Sequence, residues 1–332
     1  MTTGFNVGAL VLGAPTSPRA LKPHADLFAA YANGVMLERD ETREAYLSHF
    51  AFGAEMRAHY AANRNSVAGY AGPCWCRWLV LDIDRPDLAD ALADTRKLVT
   101  AVYQRYPALV GDVLVYFSGN KGFHVLVELA HEPPPAVGFN RTARAFAEAL
   151  AEDAGVSIDV SIYDANHIIR LPNTRHPKTG LFKRRVFSEA LFQLNVAGII
   201  EHAKHPAGDG LPTARASADH MADHWRAAEE AAARVAEVRA AHRRDCTPDA
   251  RIPRDLLDVF RFGFSAGARH TQLFRMSAWL TENGGQPELI FKILTESGCD
   301  SGLTPKEVAR QIECGIAHAN RQKARAEGDE PT

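Results

Sequence analysis

The run Trp78-Leu79-Val80-Leu81-Asp82-Ile83-Asp84 narrows what this chain can fold into more than any other stretch. Apolar residues followed by acid, apolar, acid read as a β-strand over Arg77 to Asp84. Side chains at i and i+2 share one face of a strand, so Asp82 and Asp84 point the same way and could grip one hard cation. A plainer reading stands beside it. Paired acids at a strand end also solvate a turn, or cap a helix such as the one that begins near Pro86.

Two further stretches favour a site. Ser118-Gly119-Asn120-Lys121-Gly122-Phe123-His124 links two apolar runs, Val113 to Ser118 and Phe123 to Leu129, as the tight turn of a hairpin. Its glycines let backbone N–H groups approach an anion, while Ser118, Lys121 and His124 offer a hydroxyl, a point charge and an imidazole. The alternative is a hairpin whose glycines serve only the turn and whose polar groups face water. Asp159 supplies a third carboxylate, and eleven residues further on Arg170 closes an apolar run that starts at His167. The loop from Pro172 to Gly180 carries Arg175, His176, Lys178 and Thr179. As a mere solvated connection it would be unusually dense in groups that bind phosphate.

The helix after the first strand is marked by Leu88, Leu92, Val99, Val102 and Tyr106, and a second by Arg141 to Glu152 before Gly155. Phe28, Tyr31, Tyr46, Phe50 and Met56 suggest mixed helix from Asp26 to Asn63, and short strands are expected near Ile158, His167 to Leu171 and Arg185 to Phe187. These elements imply α+β or α/β packing around a mixed sheet. His205 to Pro212 reads as a linker, Ala218 to Arg244 as a long helix with a solvated charged face, and Ile252 to Ala319 as short helices punctuated by Gly263, Gly267, Gly284, Gly285 and Gly302. Lys183-Arg184-Arg185 reads either as a contact for nucleic-acid phosphates or as a solvated edge strand.

Net charge is −2, so any case for a polyanionic partner rests on local patches. The five cysteines, Cys74, Cys76, Cys246, Cys299 and Cys314, lack the spacing of a disulfide framework and fit a reducing cytosol. Nothing near Cys74-Trp75-Cys76 completes a four-ligand zinc set, and no structural zinc is expected. Val7 to Leu12 has no basic residue before it and is poor material for a signal peptide, and no apolar stretch reaches membrane-spanning length. The expectation is a cytoplasmic protein.

Together the three stretches resemble the motifs of the archaeo-eukaryotic primase superfamily. Asp82-Ile83-Asp84 is similar to its first motif and Ser118 to His124 to its second. Asp159-Val160-Ser161 through His167-Ile168-Ile169-Arg170-Leu171-Pro172 to His176-Pro177-Lys178-Thr179-Gly180 is similar to its third. The resemblance covers roughly residues 64–190. It implies an α+β catalytic core with a mixed sheet (an RRM-like module) over residues 1–204. A linker and long helix over 205–250 and a helical C-terminal domain over 251–325 would follow. It further implies primer synthesis on a single-stranded DNA template from NTPs or dNTPs, in a plasmid, phage or related element, with a separate helicase or replication protein as partner. Asp82, Asp84 and Asp159 would be catalytic and would hold two Mg²⁺ or Mn²⁺ ions, and Ser118, Lys121, His124, Arg170, His176 and Lys178 would hold the nucleotide. Lys121 stands where many relatives have Arg, exchanging a bidentate fork for a point charge. Gly267-Ala268-Arg269-His270, Leu273-Phe274, Ala278-Trp279-Leu280 and Ser301 to Val308 resemble the helical domain that follows such cores, where it is linked to initiation. Two other readings stay open. One is an inactive replication-initiator or DNA-binding protein that would have lost an acid. The other is a sugar-nucleotide transferase using only Asp82 and Asp84.

Overall fold

A computed structural model of the chain describes residues 4–37, 43–212, 220–245, 252–253, 256–259, 263–264, 268–301 and 303–327. Cys246, Gly267 and Gly302, singled out above, lie outside the described residues. The chain divides into two compact units, Met1–Val238 and Arg239–Thr332.

The first unit is α+β. Its first sheet contains β1 (Val7–Leu12), β2 (Arg19–Pro23), β3 (Ala45–Ser48), β4 (Ala51–Phe52), β5 (Cys74–Trp75) and β9 (Ile168–Arg170), in the order β5-β4-β1-β3-β9 with β2 also on β1. The second contains β6 (Trp78–Asp84), β7 (Leu114–Phe117), β8 (Gly122–Glu128) and β10 (Arg184–Arg185), in the order β10-β7-β8-β6. Every pairing among the described residues is antiparallel, so the mixed sheet expected from the element order is instead two antiparallel sheets. The reason lies in one crossover. Helix α3 (Leu88–Arg105) carries the chain from β6 past one strand position to β7, and the hairpin return of β8 fills the gap between them.

On the second sheet the pleat divides core from site. Leu79, Leu81 and Ile83 of β6, with Phe123, Val125 and Val127 of β8, are completely buried with the apolar stripes of α3 and α4 (Phe139–Asp153). Trp78, Val80, Asp82 and Asp84 occupy the opposite face of β6. There a cavity of about 480 Å³ lies between the two sheets, lined among others by Trp78, Val80, Leu47, Ile169 and Lys183.

Several expectations need correction. Tyr46 lies in β3 rather than a helix, and among the described residues of this stretch helices cover only α1 (His24–Ala32) and α2 (Glu55–Ala62). Ala45 to Ser48 is buried along its whole length, so it carries no two-residue alternation to mark it as a strand. Near Ile158 there is a 3-10 turn, Val160–Tyr163, in place of a strand. The helix expected near Pro86 is capped by the next residue, Asp87, whose carboxylate accepts a hydrogen bond from the Ala89 amide at 2.6 Å. Cys74 and Cys76 are buried in the core, and burial pushes the Cys74 thiol up to about 11.

The segment His205 to Pro212 is not a free linker. Arg184 pairs with Asp209 at 2.5 Å and donates to the Ala207 carbonyl, Arg185 donates to the Gly210 carbonyl, and Asn173 accepts from the Ala207 amide. Two short helices, α5 (Ser188–Gln193) and α6 (Val196–His202), lead into this strap. The long helix α7 (Met221–Asp245) is likewise not solvated throughout. Met221, Trp225 and Ala228 are buried in the core, and Trp225 packs on Phe139 and Phe146 with ring centroids 5.0 and 5.6 Å away. Spacings of four and three make a stripe too narrow to stand out in an Ala/Glu/Arg-rich run.

The second unit contains α8 (Arg269–Glu282), α9 (Pro287–Asp300) and α10 (Pro305–Glu327) around Leu273, Met276, Ile290, Leu294, Val308 and Ile312. A capping box starts α10: Thr304 and Glu307 exchange hydrogen bonds between side chains and backbone amides. Arg269 and His270 occupy the first turn of α8, and His270 lies 3.7 Å from Glu307. Among the described residues, no helix is long and apolar enough to cross a membrane.

Candidate functional site

Strand β6 is an edge strand, and its unpaired backbone groups determine what lies beside it. The Asp82 carbonyl accepts from the Asp159 amide at 2.9 Å, and the Val80 carbonyl from the Tyr163 hydroxyl at 2.7 Å. His49, neutral because burial pushes its pKa down to about 3, meets the Ile162 carbonyl at 3.1 Å and the Val80 amide at 3.4 Å. The segment with the third acid is thus docked on the free edge of the strand with the first two. Arg85 fastens the same end by donating to the carbonyls of Asp84 and Ser157 while pairing with Asp94.

The electrostatic result is specific. Burial and the neighbouring charges of Asp84 and Asp159 push the Asp82 carboxyl up to about 7, while Lys183 and Lys121 pull the other way. The other two acids have local partners. Asp84 pairs with Lys121 at 3.1 Å, and Asp159 accepts from the amide and hydroxyl of Ser161 at 2.8 and 3.0 Å. In this arrangement no group of three or more His, Cys, Asp or Glu side chains among the described residues converges to hold a metal ion.

The hairpin turn faces these acids. Asp82 is the cross-strand neighbour of His124, and His124 of Tyr116. Gly122 lies opposite Asp84, and a Cβ there would stand 2.3 Å from the Ile83 carbonyl oxygen, so only glycine allows this approach. Ser118 donates its amide to the Gly122 carbonyl across the turn. The loop bearing His176 packs against the turn: Thr179 donates to the Gly119 carbonyl at 2.5 Å. His176 is lowered below the usual imidazole range by burial and by Arg170 and Lys178. Lys178 is exposed on the same loop.

Arg170 is held from the first sheet. Its guanidinium donates to the Tyr46 hydroxyl at 3.0 Å and the Arg175 carbonyl at 3.1 Å, and it stacks over the Tyr46 ring. Tyr46 in turn donates to Glu44.

No protein-family model matches this chain, and no curated protein matches it in sequence. A crystal structure of primase RepB′ is similar at 16% identity, covering 99% of this chain and 96% of that one, with a TM-score of 0.33.

The basic run Lys183-Arg184-Arg185 departs from both of its sequence readings. All three residues are buried, Lys183 at 2% exposure, so they are neither phosphate contacts nor a solvated edge. Arg184 and Arg185 hold the strap described above. Lys183 turns inward, its Nζ lying 2.9 Å from His124 Nδ1 and donating to the Arg170 carbonyl at 2.6 Å, with the Tyr116 ring centroid 5.4 Å away. Burial and the Arg170 charge push its pKa down to about 7. Lys183, Tyr46 and Glu44 are the participants that the motifs do not reveal. Three consecutive basic residues carry no signal that distinguishes an inward from an outward lysine.

Proposed function

We propose that this protein is a primase or primase-polymerase, joining nucleotides on a single-stranded DNA template. One observation carries the reading: carboxylates from separate segments, Asp82 and Asp84 on β6 and Asp159 on its docked edge, gather beside the basic side chains of Lys121, Lys183 and Arg170 and the neutral imidazoles of His124 and His176.

The donor set fits hard divalent cations such as Mg²⁺ or Mn²⁺, which take carboxylate oxygens. Asp82 is raised first by burial and then by repulsion from Asp84 and Asp159, and a bound cation would offset both. Asp84 and Asp159 would first leave Lys121 and Ser161. Exposed ion pairs are worth about 0–1 kcal/mol, so the Asp84 rotation is inexpensive. Two such ions would supply an activated 3′-hydroxyl and charge stabilisation at the leaving pyrophosphate.

Within this reading the three acids bind and orient, and the basic residues receive the triphosphate. Lys121, released from Asp84, offers a mobile point charge, whereas Arg170, fixed by Tyr46 and Arg175, offers a rigid one. His124 and His176 add neutral imidazole groups, both kept below the usual range mainly by burial. Cations arranged before the reaction stabilise negative charge without reorganising. The test is synthesis on single-stranded DNA by the intact chain and by Asp82→Asn. Equal product from both would refute the assignment.

A further inference from the structure

We propose that Lys183 is a positioning residue for His124, fixing its imidazole in the Nε2–H form so that the ring offers a donor to an anionic ligand at the acid cluster. The identity of that ligand as a nucleotide triphosphate rests on the function proposed above. The tautomer itself does not.

A neutral imidazole has one N–H and one lone pair, and the partner of one nitrogen decides the state of the other. The His124 side chain is only 12% exposed, and a proton on Nδ1 would set a ring donor against the Lys183 ammonium. Its Nδ1 lies 2.9 Å from Lys183 Nζ. At pH 6.5, below the value of about 7 at which Lys183 titrates, its ammonium has donors and no lone pair, so Nδ1 accepts and the ring proton resides on Nε2. That nitrogen faces the acids, 3.7 Å from Asp82 Oδ1. Without Lys183, the Nδ1–H form becomes accessible and would turn a lone pair toward any phosphate oxygen.

The surroundings of Lys183 favour an indirect role. Lys183 is 2% exposed, at the wall of the cavity between the sheets and packed among the Tyr116 ring, the Arg170 carbonyl and the His124 ring itself. Burying an ammonium is costly, and a buried lysine keeps its charge only where hydrogen bonds hold it. Here two are present, and one of them goes to the imidazole. Lys183 follows Phe182, whose amide is bound by the Ala203 carbonyl, and precedes Arg184, paired across the sheet to Phe117, so its backbone is held on both sides.

Two measurements on the full chain test this. In the first, ring ¹⁵N and ¹H correlations of the unsubstituted protein at pH 6.5, free of metal and nucleotide, should give the Nε2–H pattern for His124, assigned by its loss in His124→Ala. An Nδ1–H or imidazolium pattern overturns the proposal, and this readout needs neither activity nor a Lys183 variant that folds. In the second, Lys183→Met should mix the His124 tautomers and lower nucleotide incorporation roughly 10–100-fold, the range for losing a charge-assisted hydrogen bond. Combined with His124→Ala it should add little, because both substitutions remove the same donor. Multiplying losses would mean that Lys183 meets the ligand directly, which overturns the positioning role. If the unsubstituted protein gives the Nε2–H pattern yet makes no product, the primase reading fails while the positioning claim stands.

Discussion

Replacing Asp82 with Asn keeps the shape of the side chain while removing one of three like charges at the end of β6. In the native state Asp82 holds its proton up to about pH 7, whereas a free aspartate releases it near 3.8. The native state therefore binds more protons between those values, and folding is progressively disfavoured as pH rises through that window. Below about pH 4 the penalty is absent, and above pH 7 it is complete. The rise from 3.8 to about 7 corresponds to about 4 kcal/mol. Solvent screening at Asp84, which is 45% exposed, and at exposed Asp159 reduces this to about 2 kcal/mol. For a unit of this size, spanning Met1–Val238, that is a shift of about 4–8 °C in melting midpoint. Thermal unfolding with a chelator present should find Asp82→Asn more stable at pH 8 and equal to the parent at pH 4. Acid destabilisation from His24, His49 and His124, all lowered by burial, is common to both proteins and cancels in the difference. Excess Mg²⁺ should reverse the order, because ligand binding to the folded state stabilises only the protein that retains the site. Equal midpoints at pH 8, or a difference persisting at pH 4, would refute the reasoning.

Trp225→Ala should cost about 3–5 kcal/mol in urea unfolding, since it opens a cavity between α7 and Phe139 and Phe146. A chain ending at His202 should be insoluble or unfolded, because it removes Asp209 from buried Arg184 along with the Trp225 packing, whereas one ending at Val238 should extend a preformed primer. That longer truncation should lose unprimed initiation far more than extension, because starting a chain requires two free nucleotides to be held together; equal losses would assign the second unit a purely structural role. Lys121→Ala should weaken nucleotide binding without weakening DNA binding, and the reverse result in paired titrations would assign the turn to the template.

The parts of the fold that were legible in the sequence are those with local causes. Trp78 to Asp84 and Gly122 to Glu128 are bounded by turn residues, and Leu88, Leu92, Val99 and Val102 repeat at helical spacing, so strands, hairpin and α3 follow from periodicity. Of the first sheet only β9 was expected, within His167 to Leu171; β3 and β2 were hidden because Ala45 to Ser48 is buried on both faces and Arg19 to Pro23 has no buried residue, leaving neither a usable alternation. At the site, Asp82, Asp84 and the turn were visible as short-range patterns. The meeting of Asp159 with Asp82 depends on the free edge of β6, a property of the assembled sheet. Lys183 and the strap residue Asp209 were not legible for the same reason: their partners, His124 and Arg184, lie 59 and 25 residues away in the chain.

The central claim is template-directed nucleotide joining by the acid cluster. Its most direct measurement is incubation of the full chain with unprimed single-stranded DNA, Mg²⁺ or Mn²⁺ and labelled nucleotides, with Asp82→Asn, Asp84→Asn and Asp159→Asn alongside. The account predicts short template-dependent products from the unsubstituted chain and at least a tenfold loss with each substitution. Absence of product under both metals, or synthesis within about tenfold of the parent by any of the three variants, would contradict it.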